Sequence, residues 1–151
     1  MKKIRTKVLC VLLGIVCVLS VVGCKKKAVD ANEYATKADE FYERITAIGA
    51  EIDALNTKTD DADRQLLVKL DALNDEVKAF AELDPPENLK DAKERAVSAS
   101  NFMSEAVSLF HKAFESESVD QTALDEARYN YGNAIIEIKN IVDEIINEAM
   151  S

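Results

Sequence analysis

The segment Leu83-Asp84-Pro85-Pro86-Glu87 separates two long stretches of helical periodicity. Pro85 has no backbone N–H, and its ring clashes with the preceding turn, so a helix that reaches Leu83 must end there. Asp84 is a typical N-cap residue, with proline in the first turn and Glu87 at the third helical position, which is a capping-box arrangement. We therefore expect a second helix to end at Leu83 and a third to begin directly after Asp84.

Apolar residues recur at alternating steps of three and four on both sides of this break, which indicates helices rather than strands. The first predicted helix carries Tyr34, Ala38, Phe41, Ile45, Ile48, Ile52 and Leu55, and the second carries Leu66, Leu70, Leu73, Val77 and Phe80. The third carries Leu89, Ala92, Ala96, Ala99, Met103, Ala106, Phe110 and Ala113, and the fourth carries Leu124, Ala127, Tyr131, Ile135, Ile138, Val142, Ile145 and Ala149.

Two weaker breaks complete the pattern. Residues 56–60 have low helix propensity, and the acids Asp60, Asp61 and Asp63 suit the start of the second helix. Without a glycine or proline there, the alternative is one continuous helix over 28–83. Before the fourth helix, Ser118 and Gln121 form a second capping-box candidate. The apolar faces are wider than a two-stranded coiled-coil seam, so each helix needs two neighbours, and we predict an all-α, antiparallel up-down-up-down four-helix bundle over 33–151.

The composition excludes several classes of protein. The chain has 151 residues, four glycines, two prolines, one histidine and no tryptophan. A glycine-rich phosphate loop, a turn-dense β-sandwich and a doubly wound nucleotide fold all lack the residues they require.

The first 27 residues differ from the rest of the chain in charge. They contain seven Lys and Arg and no acid, whereas 28–151 contain 12 Lys and Arg and all 28 Asp and Glu, a formal charge of −16. Lys2, Lys3, Arg5 and Lys7 precede the uncharged run 8–22, as in a secretory signal peptide. The acidic body is expected to stand off an anionic membrane and to bind no nucleic acid.

The uncharged run ends in Val21-Val22-Gly23-Cys24, which resembles the lipobox of bacterial lipoproteins. The resemblance implies cleavage after Gly23 and a thioether-linked diacylglyceryl group on Cys24, leaving 1–23 as signal peptide and 24–32 as a basic tether. Lys25, Lys26 and Lys27 would then lie among lipid headgroups at the outer face of the cytoplasmic membrane. An uncleaved anchor and ordinary signal cleavage are the alternatives. Cys10 and Cys17 lie within the removed segment, so no disulfide is expected.

No catalytic, cofactor or metal site is predicted. His111 lies four residues before Glu115, where a surface imidazole beside a carboxylate is expected, and Ser108 stands where a di-metal Glu-x-x-His motif needs glutamate. The available serines lack a nucleophile turn and have one histidine as a possible base, so we expect a protein without enzymatic activity. Tyr34, Tyr42 and Tyr131 are assigned to core packing, with their hydroxyl groups at its edge.

Four apolar residues lie out of phase with the stripes and are candidates for contact with a partner: Tyr129, Ile136, Leu67 and Val68. The body resembles the small all-helical lipoproteins of Gram-positive bacteria, a resemblance that implies location and not mechanism. We expect a helical bundle that binds another envelope component, either a protein or a wall polymer. The alternative is a carrier of a small apolar or cationic ligand, held in a cavity where Ala96, Ala99 and Ala106 face Gly49 or Gly132.

Overall fold

The computed structural model describes residues 30–56, 58–115 and 118–150. The predicted signal peptide lies outside these residues, as do the predicted lipidation site Cys24 and the basic residues Lys25, Lys26 and Lys27. Over the described ranges the protein is all-α, with four helices: α1 (Ala31–Asp53), α2 (Ala62–Ala81), α3 (Lys90–Phe114) and α4 (Gln121–Ala149). A short 3₁₀ turn, Glu87–Leu89, precedes α3.

The four helices form a closed ring of neighbours, in which α1 packs on α2, α2 on α3, α3 on α4, and α4 back on α1. Ion pairs between α1 and α2 show their antiparallel direction: Arg44 pairs with Glu76 at 2.8 Å, and two turns further along α1 Glu51 pairs with Lys69, two turns back on α2. Polar pairs between α2 and α3 and between α3 and α4 run antiparallel in the same way, which confirms the predicted up-down-up-down bundle.

The core is built by the predicted stripes. Phe41 of α1 stacks on Phe80 of α2 with ring centroids 4.3 Å apart and the rings nearly parallel. The α3 stripe is rich in alanine, and Ala92, Ala99, Ala106 and Ala113 are fully buried. Such small side chains let a neighbouring helix approach closely. None of the helices among the described residues is both long and apolar enough to cross a membrane.

The break between α1 and α2 is a turn, so the alternative of one continuous helix is wrong. The Asn56 carbonyl accepts hydrogen bonds from the Thr59 backbone N–H at 3.2 Å and from its hydroxyl at 3.0 Å. The Asn56 side chain also accepts from the Lys58 N–H. These local bonds compete with helix continuation, as asparagine and threonine side chains commonly do.

Three predicted helix starts need correction. Asp30 caps α1 through a hydrogen bond from the Asn32 N–H, so Ala31 and Asn32, assigned to the tether, are helical. Asp84 does not cap α3, because the 3₁₀ turn Glu87–Leu89 lies between them and Leu89 is the residue that precedes the helix; the Asp84 carboxylate binds Lys93 Nζ at 2.7 Å. Asp120, and not Ser118, caps α4, because it directly precedes Gln121 and its side chain reaches the Ala123 N–H.

The predicted position of the Tyr34 hydroxyl is also wrong, because the hydroxyl does not lie at the edge of the core. The side chain is fully buried, and the hydroxyl has no hydrogen-bond partner among the described residues. Burial raises the pKa of this phenol to about 12. A buried hydroxyl without a partner destabilises the folded state, because it loses its hydrogen bonds to water.

We predict that Tyr34→Phe raises the free energy of unfolding by about 1 kcal/mol, because it removes the unpartnered hydroxyl and keeps the ring on Phe80. Chemical denaturation followed by circular dichroism measures the change. Tyr42→Phe, in a partly exposed side chain, is the matched control and should change stability by less than about 0.5 kcal/mol. Destabilisation by Tyr34→Phe would mean that the hydroxyl is hydrogen-bonded in the folded protein.

Candidate functional site

A groove of about 550 Å³ runs along the outer side of α3 and α4. Three apolar side chains line it: Phe102 from α3, and Tyr129 and Ile136 from α4. Tyr129 is 69% exposed and Ile136 62% exposed, and Phe102 is 37% exposed. Two large and strongly exposed apolar side chains on one helix face, joined by a third across the groove, are more than scattered surface apolar residues.

The sequence pattern explains how α4 presents this pair. Tyr129 and Ile136 are seven residues apart, so they lie on the same side of the helix, separated by two turns. The main apolar stripe of α4 faces the core with Ile138 and Val142, and it turns these two residues outward. The prediction that Tyr129 and Ile136 are exposed is confirmed, and the structure adds that they share one groove.

Phe102 was not singled out from the sequence, although it is part of the groove. It lies directly before Met103, at the edge of the wide apolar arc of α3, and the arc was assigned to the core as a whole. Met103 is fully buried, whereas Phe102 is turned toward α4 and solvent. Its position at the edge of the arc was the signal available in the sequence.

Arg95 forms the polar end of the groove. Its guanidinium donates to Glu137 with an Nε–Oε1 distance of 2.5 Å and also donates to Glu144, so one α3 cation holds two α4 carboxylates. These hydrogen bonds, first of all that to Glu137, raise the pKa of Arg95, which keeps it positively charged. The pairs also hold α3 and α4 in an antiparallel register, together with the Asn88–Glu148 hydrogen bond of 3.0 Å.

The groove continues beyond Phe102 into a shallower depression of about 330 Å³, lined also by Asn101, Glu105 and Asn130. The two depressions share Ser98 and Phe102, so they form one elongated surface. Together their linings contain three carboxylates, those of Glu94, Glu105 and Glu137, and the guanidinium of Arg95. The linings also contain four uncharged polar side chains, those of Ser98, Asn101, Asn130 and Asn133. The site, which we call the α3–α4 groove, therefore combines a patch of three apolar side chains, its floor, with polar side chains and a predominantly acidic rim.

The two candidates on α2 lie elsewhere. Leu67 is 8% exposed and belongs to the core, so its assignment to the surface is wrong. The reason is that α2 contacts both α1 and α3 and buries a wider face than its main stripe. Val68 is 60% exposed, and it lies in a separate depression on α2 with Arg64, Gln65 and Lys69.

A smaller groove of about 340 Å³ lies between α1 and α4, beside Gly49. Tyr42, Asp53 and Tyr131 line it. Tyr131 also makes an edge-on contact with Phe110, and burial followed by the charge of Asp53 raises its pKa. We expected a cavity beside Ala96, Ala99 and Ala106, but these alanines do not line the groove. They are packed in the core, with 3% exposure or less.

His111 lies beside Glu115, as predicted, with Nδ1 2.8 Å from Oε1. Its other ring nitrogen, Nε2, lies 3.0 Å from Asp71 Oδ1 on α2, a contact between helices that the sequence did not indicate. Hydrogen bonds to Glu115 and Asp71 raise the pKa of the imidazole. Across the described ranges, no group of three or more potential ligands is arranged to hold a metal ion.

The fold and the groove define a class of protein: an all-helical bundle with an open, apolar and acid-rimmed surface between two adjacent helices. The chain belongs to DUF6376, a family of unknown function, which matches residues 28–147. The matched range contains α1, α2, α3 and nearly all of α4. Comparison with curated proteins and with solved structures gave no match.

We predict that His111 makes stability depend on pH above about 6.5, the ordinary pKa of histidine. Because the folded-state pKa is raised, the stabilisation from the imidazolium is complete below the unfolded-state pKa and is lost as pH rises through the folded value. Unfolding should therefore require less denaturant at pH 8.5 than at pH 6. His111→Ala should abolish most of this difference, since the chain has one histidine.

Asp71→Asn, which changes the α2 residue that contacts His111, is the second variant for this measurement. It removes one of the two carboxylates that hold the imidazolium, so the loss of stability should begin at a lower pH than in the unchanged protein. An identical pH profile in all three proteins would contradict the assignment of the pH dependence to His111.

Proposed function

We propose that this protein is a lipid-anchored lipoprotein at the outer face of the cytoplasmic membrane, and that its bundle binds another component of the cell envelope through the α3–α4 groove. The binding role is non-enzymatic. The observation that carries the proposal is the joint exposure of Phe102, Tyr129 and Ile136 in one open groove.

The anchor is supported by the sequence Val21-Val22-Gly23-Cys24 after a basic and then uncharged run. A diacylglyceryl group supplies two acyl chains, which give stable membrane attachment, whereas one chain gives marginal attachment. The family match covers residues 28–147, which include nearly all of the bundle.

The start of α1 at Ala31 supports a position of the bundle close to the membrane, because it leaves a short tether after the proposed anchor at Cys24. Between Cys24 and the capping residue Asp30 the chain spans at most roughly 20 Å if fully extended. Lys25, Lys26 and Lys27 favour contact with anionic headgroups, while the acidic body is repelled from them. In this arrangement the groove is accessible to components that lie near the outer face of the cytoplasmic membrane.

A binding role is favoured over catalysis by how the charged groups of the groove are used. The Glu137 carboxylate is held by Arg95, and Glu94 and Glu105 are exposed at the edge of the groove. A catalytic carboxylate typically lies in an apolar pocket that raises its pKa. The exposed aromatic and aliphatic side chains instead resemble the anchors of a protein-binding surface.

One observation favours the second candidate, a carrier of a small cationic ligand. The groove beside Gly49 presents the rings of Tyr42 and Tyr131 and the carboxylate of Asp53. Aromatic faces and a carboxylate are the groups that bind ammonium cations. This groove is smaller than the α3–α4 groove, and its apolar lining is less exposed, so we rank it second.

We predict that the double variant Tyr129→Asp/Ile136→Asp loses a specific envelope partner. The two carboxylates would place charge where the partner's apolar surface must be desolvated, which is unfavourable by several kcal/mol. Chemical cross-linking in native membranes, followed by purification and mass spectrometry, measures the partner. Val68→Asp is the matched control, because Val68 is equally exposed but lies outside the groove. Equal recovery of the same partners in all three samples would contradict the proposal.

The anchor has its own test. Cys24→Ser should prevent lipidation and leave an unprocessed precursor or release the body from the membrane, as followed by metabolic lipid labelling and fractionation. Cys17→Ser, within the proposed signal peptide, is the control and should mature normally. Full lipid labelling of the Cys24→Ser protein would refute the assignment.

A further inference from the structure

The shape of the α3–α4 groove suits a helix. Tyr129 and Ile136 are two turns apart along α4, which corresponds to roughly 10 Å of helix rise. A helix of a partner protein lying along the groove would have its residues i and i+7 at the spacing of Tyr129 and Ile136. Its residue i+3 or i+4 would then lie over Phe102. This is the arrangement of an amphipathic helix bound in an apolar groove.

The rim determines the charge that such a helix must carry. Glu94 and Glu105 lie on α3 along the edge of the groove, and both are exposed. The single guanidinium of the lining, that of Arg95, is held by Glu137 and Glu144, two carboxylates for one cation.

On α4 the outward face continues with more acids. Asp125 lies one turn before Tyr129, and Asp143 lies two turns after Ile136; both are exposed. These helical spacings place the two acids on the same side of α4 as the apolar pair. Asp125 is paired with Arg128 at 3.5 Å, and the exposed Lys139 lies one turn after Ile136, so the acidic edge of the groove is mainly the α3 edge with Glu94 and Glu105.

Charge also argues against the other occupants of the groove. A second copy of the chain would bring two acidic rims together, on bodies that each carry a formal charge of −16 over residues 28–151. Like charges juxtaposed at an interface are unfavourable. An anionic wall polymer or lipid surface would be repelled in the same way.

From this geometry we propose that the α3–α4 groove binds a basic amphipathic helix of a partner protein, with aliphatic side chains on Phe102, Tyr129 and Ile136, and Lys or Arg beside Glu94 and Glu105. The inference rests on the proposed binding function and specifies the chemistry of the partner. The apolar contacts supply most of the affinity, and the acidic rim selects basic sequences and speeds their association.

The probes that test this are three labelled synthetic peptides. The first is an amphipathic helix with leucine along one face and lysine beside it; the second has glutamate in place of every lysine. The third has the composition of the first in an order without the apolar stripe. Binding to the full lipidated chain in phosphatidylcholine nanodiscs is measured by fluorescence anisotropy, with empty nanodiscs as background.

Two pairs of variants separate the apolar contribution from the charged one. Tyr129→Ser/Ile136→Ser removes the floor, and Val68→Ser is its control. Glu94→Gln/Glu105→Gln removes rim charge, with Glu40→Gln/Glu43→Gln, two exposed acids of α1, as its control. Circular dichroism establishes that each variant keeps its helices.

We expect the lysine peptide to bind more tightly than both others, and its affinity to fall as salt is added. Tyr129→Ser/Ile136→Ser should lower the affinity for the lysine peptide about tenfold or more. Glu94→Gln/Glu105→Gln should lower it about fivefold. Both controls should stay within about twofold.

Equal binding of the lysine and glutamate peptides would overturn the inference, as would binding that neither pair of groove variants changes, or no binding of the lysine peptide. The identity of the partner cross-linked in native membranes distinguishes failure of the basic-helix inference from failure of the proposed binding function. Suppose that the partner lost in Tyr129→Asp/Ile136→Asp proves to be a wall polymer or a protein with an acidic contact surface. The proposed binding function would then stand, and the inference of a basic helix would be wrong.

Discussion

The antiparallel packing of α3 on α4 is the contact on which the rest of the bundle depends. It is the most extensive helix contact among the described residues, and both helices bury several alanines. With little more than a Cβ at these positions, the two helices can approach closely, and larger side chains at the border of the contact stay outside. The α3–α4 groove follows from this arrangement. Phe102, Tyr129 and Ile136 stand at the outer border, whereas the fully buried positions on the two facing helices include Ala92, Ala99, Ala113, Ala127 and Ala134.

Polar pairs then set the register of this contact. Arg95 reaches two glutamates of α4 that lie two turns apart, and Asn88 binds Glu148 near the end of the same helix. Exposed ion pairs contribute little stability one by one, so their main effect is on which residues face one another. The same holds between α2 and α3, where the Ser104 hydroxyl donates to the largely buried Asn74 at 3.0 Å. An apolar core tolerates sliding, and these pairs oppose it.

The helices and their order could be predicted from sequence, because a buried helix face repeats every three to four residues and 83–87 ends one helix unambiguously. Helix starts were harder, because a cap depends on the exact residue at which the chain turns, and here the 3₁₀ turn before α3 and the position of Asp120 decided it. Leu67 shows the limit of a single stripe: how wide a face is buried depends on how many neighbours a helix has. The contacts of His111 with Asp71 and of Phe102 with α4 are tertiary, and periodicity within one helix carries no information on them.

We propose that this small bundle, with exposed apolar side chains at one border of the α3–α4 contact and exposed acids beside them, binds a partner near a membrane surface. The most direct test of that account is site-specific photo-cross-linking in native membranes, with the photoreactive amino acid placed at Ser98, which lies between the two depressions of the groove. The account predicts a discrete protein adduct from position 98 and none from position 68, which is also exposed but lies on α2. Adducts of the same identity and yield from both positions would contradict it, because contact would then not be confined to the α3–α4 groove.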